Sequence, residues 1–183
     1  MRADARRNRA RVLEVAIETF GAEGLSVPIH EIARRAGVGT GTVSRHFSTK
    51  EALYAAIVSH IAGRLVAQAR ELSETDDPGT AFFAFFASMV REGAANRGLG
   101  DALAGAGFDV EAAADRAEHN VLGSLGELLT RAQRAGAVRA DVDLADVKAL
   151  MVGCLARERG PADRGARDRM IAIACDGLRA TPH

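Results

Sequence analysis

Residues 29–47 read IHEIARRAGVGTGTVSRHF, Ile29 to Phe47, and the folding of this stretch decides how the rest of the chain is read. Three glycines stand at alternate positions, Gly37, Gly39 and Gly41, and Thr42, Ser44, Arg45 and His46 follow. A dinucleotide-binding loop needs a strand before its glycines and a GxGxxG spacing; here a helical pattern precedes them and the spacing is GxGxG. A nucleoside-triphosphate loop needs Gly-Lys-Ser/Thr, which the stretch lacks. The alternative is two short helices joined by a tight glycine turn, the second helix exposing short polar and basic side chains. Ile29, Ile32, Ala33, Val38, Val43 and Phe47 would pack the pair together and leave Thr40, Thr42, Ser44, Arg45 and His46 outside. Arg45 can make two hydrogen bonds to a guanine edge, and Thr42 can offer a methyl to thymine or a hydroxyl to phosphate. Gly41 permits close approach of the backbone to DNA. Lys50 can join the first amides of the next helix at a phosphate.

Outward from this unit the pattern stays helical, and no segment alternates with period two long enough to be a strand. A first helix from about Asp4 puts Leu13, Ala16, Ile17 and Phe20 on one face and stops at Gly24. The second begins near Pro28, a residue suited to a first turn, and ends at Gly37. Ser48 and Glu51 form a capping-box pattern for a fourth helix running to about Glu74, where acids and Pro78-Gly79 break the chain. A very apolar helix is expected over about 79–92, and a short helix between loops over about 93–109, a segment able to gate a pocket. A long helix over about 109–135 is closed by Gly136. Asp143 caps a helix over about 143–158 with Asp146 at its third position, and a last helix covers about 162–180. The expected fold is all-α with about nine helices. Its parts are a DNA-reading domain over 1–47, a connecting helix over 48–74 and a larger bundle over 75–183.

The chain has 183 residues, 48% hydrophobic and 26% charged, the balance of a soluble globular protein with a substantial core. Its formal net charge is zero, but residues 1–50 hold nine Lys/Arg against five acids, leaving fifteen against nineteen for the remainder. Such a split suits a basic head that meets an anion and an acidic body that does not. Cys154 and Cys175 lie in separate apolar segments without CxxC spacing or a nearby His, so they read as buried thiols and no metal site is expected. The basic N-terminus runs into an amphipathic pattern and not into an apolar signal region. The apolar run over 81–90 is too short to span a bilayer, and a cytoplasmic protein is expected.

The stretch LSVPIHEIARRAGVGTGTVSRHFSTKEALYAAI resembles the N-terminal domain of the TetR family of transcriptional regulators. Ile32, Ala33, Ala36, Gly37, Val38, Gly41, Thr42, Phe47, Lys50 and Leu53 match that family's pattern densely over residues 10–57. Ser44 departs from it, standing where the family very often has a tyrosine that touches the DNA backbone. The resemblance implies a double-stranded DNA operator as partner, a homodimer, a small-molecule effector held by the C-terminal body, and no cofactor.

The residues lend the body partial support of their own. Two reading helices must lie about 34–36 Å apart to enter successive major grooves, so one copy reads half a palindrome. Leu144, Val147, Met151 and Leu155, with Met170, Ile171, Ala174 and Leu178, could pair with a second copy as a four-helix interface, or face the protomer's own core. Phe82, Phe83 and Phe86 with Met89, His119, Leu122 and Met151 are candidates for an apolar effector pocket, against core packing as the alternative. No Ser/His/Asp or Cys/His set, HExxH motif or carboxylate pair marks catalysis, so no catalytic residue is assigned. The expectation is a repressor that binds a palindromic operator and is released by a small hydrophobic effector. The alternative is a helix-turn-helix DNA-binding protein without an effector.

Overall fold

A computed structural model describes residues 2–74, 77–116, 119–156 and 164–180. Ten α-helices follow one another among them: α1 (Arg2–Glu23), α2 (Ile29–Ala36), α3 (Thr40–His46), α4 (Lys50–Ser73) and α5 (Pro78–Ala95). Then come α6 (Arg97–Gly105), α7 (Val110–Arg116), α8 (Val121–Arg134), α9 (Leu144–Ala156) and α10 (Arg164–Leu178). The only pairing of strand type among the described residues is an isolated bridge between Val138 and Arg179. The chain divides into two compact units, residues 1–64 with 96–119, and residues 65–95 with 120–183.

The N-terminal unit is organised by its apolar stripes. Leu13, Ala16 and Phe20 recur at helical spacing on α1 and are fully buried against Ile32, Ala33 and Ala36 of α2, Val43 of α3, and Leu53 and Ile57 of α4. Burying the leucine, isoleucine, valine and phenylalanine side chains among them stabilises the fold by roughly 1.5–3 kcal/mol each, and the alanines by less. The core also takes Leu99 and Leu103 from α6, and Tyr54 meets Phe20 and Phe108 edge to face at 5.7 and 5.6 Å. The short helix expected within 93–109 is α6, which is anchored by two buried leucines, and the segment before it is shorter than expected because α5 extends to Ala95. His60 and Arg64 of α4 reach Glu14 of α1 at 2.7 and 3.0 Å.

The C-terminal unit is built round α5. Phe82, Phe85, Phe86 and Val90 are fully buried, and α8 faces them with Leu125, Leu128, Leu129 and Ala132 at helical spacing. The long helix expected over 109–135 is two helices. Asn120 caps α8, its Oδ1 accepting from the Gly123 amide at 2.8 Å, and so starts a new helix where an unbroken pattern was expected. Asp143 and Asp146 form the expected reciprocal cap, each side chain accepting from the other's amide at 3.0 Å. At α4 the cap is Thr49, not Ser48: its Oγ1 accepts from the Ala52 amide at 3.0 Å. The break placed at residues 159–163, and part of that at 74–80, lie outside the described residues.

By length and composition α4 is long and apolar enough to cross a membrane. Its apolar residues are accounted for by packing, with Leu53 and Ile57 in the core of the N-terminal unit and Ala69 in that of the C-terminal unit.

Candidate nucleic-acid interface

The turn between α2 and α3 is made by one residue in the left-handed region. Gly37 has φ 66° and ψ 33°, with its amide 3.1 Å from the Arg34 carbonyl and the Val38 amide 3.0 Å from the Ala33 carbonyl. This pair of bonds is the Schellman ending of a helix, and glycine takes the conformation without a Cβ penalty. Gly39 caps α3, its carbonyl accepting from the amides of Thr42 and Val43. The short helix that follows buries only Val43, and Phe47 closes it against the core.

What α3 leaves outside is polar and basic. Thr40, Gly41, Ser44, Arg45 and His46 are exposed and Thr42 is half-buried. Nothing stands within 4 Å of where a Cβ on Gly41 would lie, so this face is open for close approach. Arg45 Nε donates to the Gly41 carbonyl at 3.0 Å, laying the guanidinium along its own helix. Releasing it forgoes about 0.5–1.5 kcal/mol, less than the roughly 1–3 kcal/mol of discrimination a bidentate guanine contact provides. Lys50 Nζ donates to the Leu25 carbonyl at 3.0 Å, which ties the start of α4 to the loop after α1 and leaves two ammonium protons for another acceptor.

The neighbouring charges are unequally engaged. Glu31 accepts from Arg34 through both oxygens at 2.7 Å and from Arg35 at 2.8 Å. The hydrogen bonds from Arg34 and then Arg35 hold its carboxyl down at about 2, and Arg35 also pairs with Glu23. Arg34 and Arg35 are thus largely neutralised beside the turn. Arg9 and Arg11 of α1, which reach the ends of α3, are not. Arg9 lies over the Phe47 ring, 5.5 Å from its centroid, and Arg11 Nη2 comes 3.7 Å from the Cβ position of Gly37. Neither has a carboxylate partner among the described residues. The sequence reading singled out neither, because spacing alone does not tell which α1 arginines come near the turn.

The residues assigned to an effector and to dimerisation fall differently from the sequence reading. Phe82 and Phe86 are fully buried with ring centroids 6.5 Å apart, so they are core residues. Phe83 is half-buried beneath the Arg179 guanidinium at 4.6 Å, at the edge of a cavity of about 440 Å³ lined by Thr80, Ala84 and Ala137. Met89 and Met151 pack half-buried on the same core, and Leu122 is 38% exposed. His119 belongs to the other unit, its Nε2 at 2.9 Å from the Cβ position of Gly63. Of the dimer candidates, Val147, Ile171, Ala174 and Leu178 are buried in the protomer's own core and Leu144, Met151, Leu155 and Met170 pack partly against it. The apolar side chains that α9 and α10 leave outside are instead Leu150, Val152 and Ile173, the last two 65% and 64% exposed. Leu150 and Ile173 line a groove of about 420 Å³ together with Ala149, Gly153 and Gly177. Cys154 and Cys175 are buried free thiols, and burial pushes both pKa values up.

A glycine-turned helix pair in an all-helical chain, with its second helix exposed, polar and basic, defines a helix-turn-helix DNA-binding protein. Residues 12–57 match the profile of the bacterial regulatory proteins of the tetR family, and residues 77–180 match that of the SbtR-like transcriptional regulator C-terminal domain. The crystal structure of a TetR transcription regulatory protein from Mycobacterium vanbaalenii is 54% identical, covers 98% of this chain and 99% of its own, and superposes with a TM-score of 0.81. A TetR transcriptional regulator from Streptomyces coelicolor is 30% identical over 95% of this chain and 99% of its own, also at 0.81. A gamma-butyrolactone receptor, an ArpA-like protein, is 25% identical over 97% and 91%, at 0.68. An HTH-type transcriptional regulator of Staphylococcus aureus is 43% identical over 54 residues; the match spans 29% of this chain and 29% of that relative's length. The chain belongs to the TetR family of transcriptional regulators.

Proposed function

We propose that the protein is a ligand-responsive repressor that binds a palindromic operator as a homodimer and is released by a small, largely apolar effector. The observation that carries the reading is the exposed face of α3, on which Thr40, Thr42, Ser44, Arg45 and His46 surround an open Gly41. Arg45 reads a base edge, Thr42 and Ser44 contact base or phosphate, and Lys50 meets a phosphate with its remaining protons. The second copy covers the apolar strip of Leu150, Val152 and Ile173, whose exposure on two neighbouring helices suits a four-helix interface. The effector is taken by the C-terminal unit, where Phe83, Met89, Leu122 and Met151 are apolar and not fully buried. A ligand that binds better to the dimer with wrongly spaced heads lowers operator affinity by its differential affinity, typically about 1–3 kcal/mol. The protein then works in the cytoplasm, where its DNA is.

A gel shift with the DNA upstream of the protein's own gene tests this. Wild type is expected to prefer that DNA over random duplex, and Arg45→Ala to lose roughly 1–3 kcal/mol while relaxing base choice at one position per half-site. Equal binding of wild type to both duplexes would sink the reading. Release of the complex by screened small apolar molecules distinguishes a ligand-responsive repressor from a DNA-binding protein without an effector.

A further inference from the structure

The major groove is about 12 Å wide, and a helix with its side chains is about 10–12 Å across. A helix such as α3, Thr40–His46, therefore fills the groove it enters and brings the segments that flank it close to the phosphate strands that form the walls. A cation held beside either end of α3 is thereby within reach of a backbone. The structure has one at each. Arg11 stands against Gly37, just before the turn into α3, and Arg9 stands over Phe47, just after its last turn.

These two guanidiniums differ from the arginines and the lysine of α2, α3 and the start of α4. Arg34 and Arg35 are held by Glu31 and Glu23, Arg45 by a backbone carbonyl of its own helix, and Lys50 by the Leu25 carbonyl. Arg9 and Arg11 are exposed and have no carboxylate among the described residues. Arg9 is nonetheless positioned, because its guanidinium rests on an aromatic ring that is itself buried. A pre-placed guanidinium fork with its donors unengaged suits the two oxygens of a phosphodiester.

We propose that Arg9 and Arg11 of α1 are phosphate clamps, one for each wall of the groove that α3 enters. The proposal rests on the DNA-binding reading above. The clamps carry no base information, so they add affinity equally to any duplex and set the register in which Arg45 reads.

The test is the salt dependence of binding, followed by fluorescence anisotropy of a labelled random-sequence duplex between roughly 50 and 200 mM salt. Arg9→Ala and Arg11→Ala are each expected to flatten the slope of log K against log salt by about 0.9 for every phosphate left without its cation. Arg9→Lys and Arg11→Lys should restore most of the slope, since lysine also binds phosphate as a point charge. Arg9→Met keeps an unbranched stem over Phe47 without the charge and should behave like Arg9→Ala. Arg34→Ala removes a cation already held by Glu31 and should leave the slope nearly unchanged. If Arg34→Ala flattens the slope as much as Arg9→Ala, the effect is the general field of the head and the clamps are refuted. Recovery of the slope in Arg9→Met would equally refute the clamp, by assigning Arg9 to packing on Phe47. Wild type that binds no duplex in a salt-dependent way overturns the DNA-binding reading itself, and the clamps with it.

Discussion

Glu31 sets how much of the basic head is available to DNA. It accepts from Arg34 and Arg35 together, and those hydrogen bonds, with the attraction of the two cations, lower its pKa from an ordinary 4.5 to about 2. A carboxyl whose pKa is depressed by folding contributes stability that is present above its unfolded value and lost as pH falls through the folded value. The contribution is therefore expected to fade between pH 4.5 and about 2. Glu31→Gln should shrink the acid-side fall of the thermal unfolding midpoint in that window and leave a smaller difference between pH 7 and acid. The same change releases two arginines beside the turn, so binding to random DNA should tighten at low salt. A midpoint that falls in acid just as steeply in Glu31→Gln would show that other carboxyls carry the acid response.

Among the elements, α6 makes a contact that leaves no room for a side chain. Gly98 approaches α1 so closely that a Cβ there would lie 2.9 Å from the Gly21 carbonyl oxygen, and backbone cannot give way as a side-chain end can. Gly98→Ala is expected to lower stability by roughly 1–3 kcal/mol in urea unfolding, the usual cost of overpacking. Gly100→Ala, on the same helix with nothing within 4 Å, should be neutral or should stabilise by up to about 1 kcal/mol through helix propensity. Equal effects of the two changes would mean that α6 is not pinned to α1. This approach was not legible in the sequence, where glycines at 93, 98, 100, 105 and 107 read as looseness. The elements that were legible carried punctuation and periodicity together. Gly37 lies one residue beyond the stripe Ile32, Ala33 and Ala36, and the turn into α3 was readable for that reason. The start of α8 is not legible because a lone Asn120 in an otherwise helical pattern gives no sign of a cap until its hydrogen bond to the Gly123 amide is seen. The outward side of α9 was missed for the opposite reason. Leu150, Met151, Val152, Cys154 and Leu155 ring the helix with apolar residues, so periodicity could not choose a face. Of the residues the sequence assigns to DNA, Thr40, Gly41, Ser44, Arg45 and His46 lie outside as spacing predicts, while the positions of Arg9 and Arg11 emerge only from the packing of α1.

At the scale of the whole molecule, the exposed strip on α9 and α10 bears on how many copies act together. Ile173 is 64% exposed, so a charged residue there does not disturb the protomer's core. Ile173→Asp is expected to yield a folded monomer by light scattering and unchanged far-ultraviolet circular dichroism. The monomer should also lose preference for a palindrome over a single half-site, because two reading helices are no longer held in one particle. A dimer that persists in Ile173→Asp would place the interface elsewhere.

The chain passes between its two units at residues 64/65, 95/96 and 119/120, so α6 and α7 are grouped with the head although α4 and α5 separate them from it in the sequence. Recombination therefore has no single clean seam. A chimera that exchanges the reading head at residue 64 alone leaves behind Leu99 and Leu103, which complete the core of the head that was removed, and sets Gly98 against a foreign α1. Transplanting the specificity of this protein requires moving residues 1–64 and 96–119 as a set, and any exchange of heads between this chain and a relative is constrained by the same two-part inheritance.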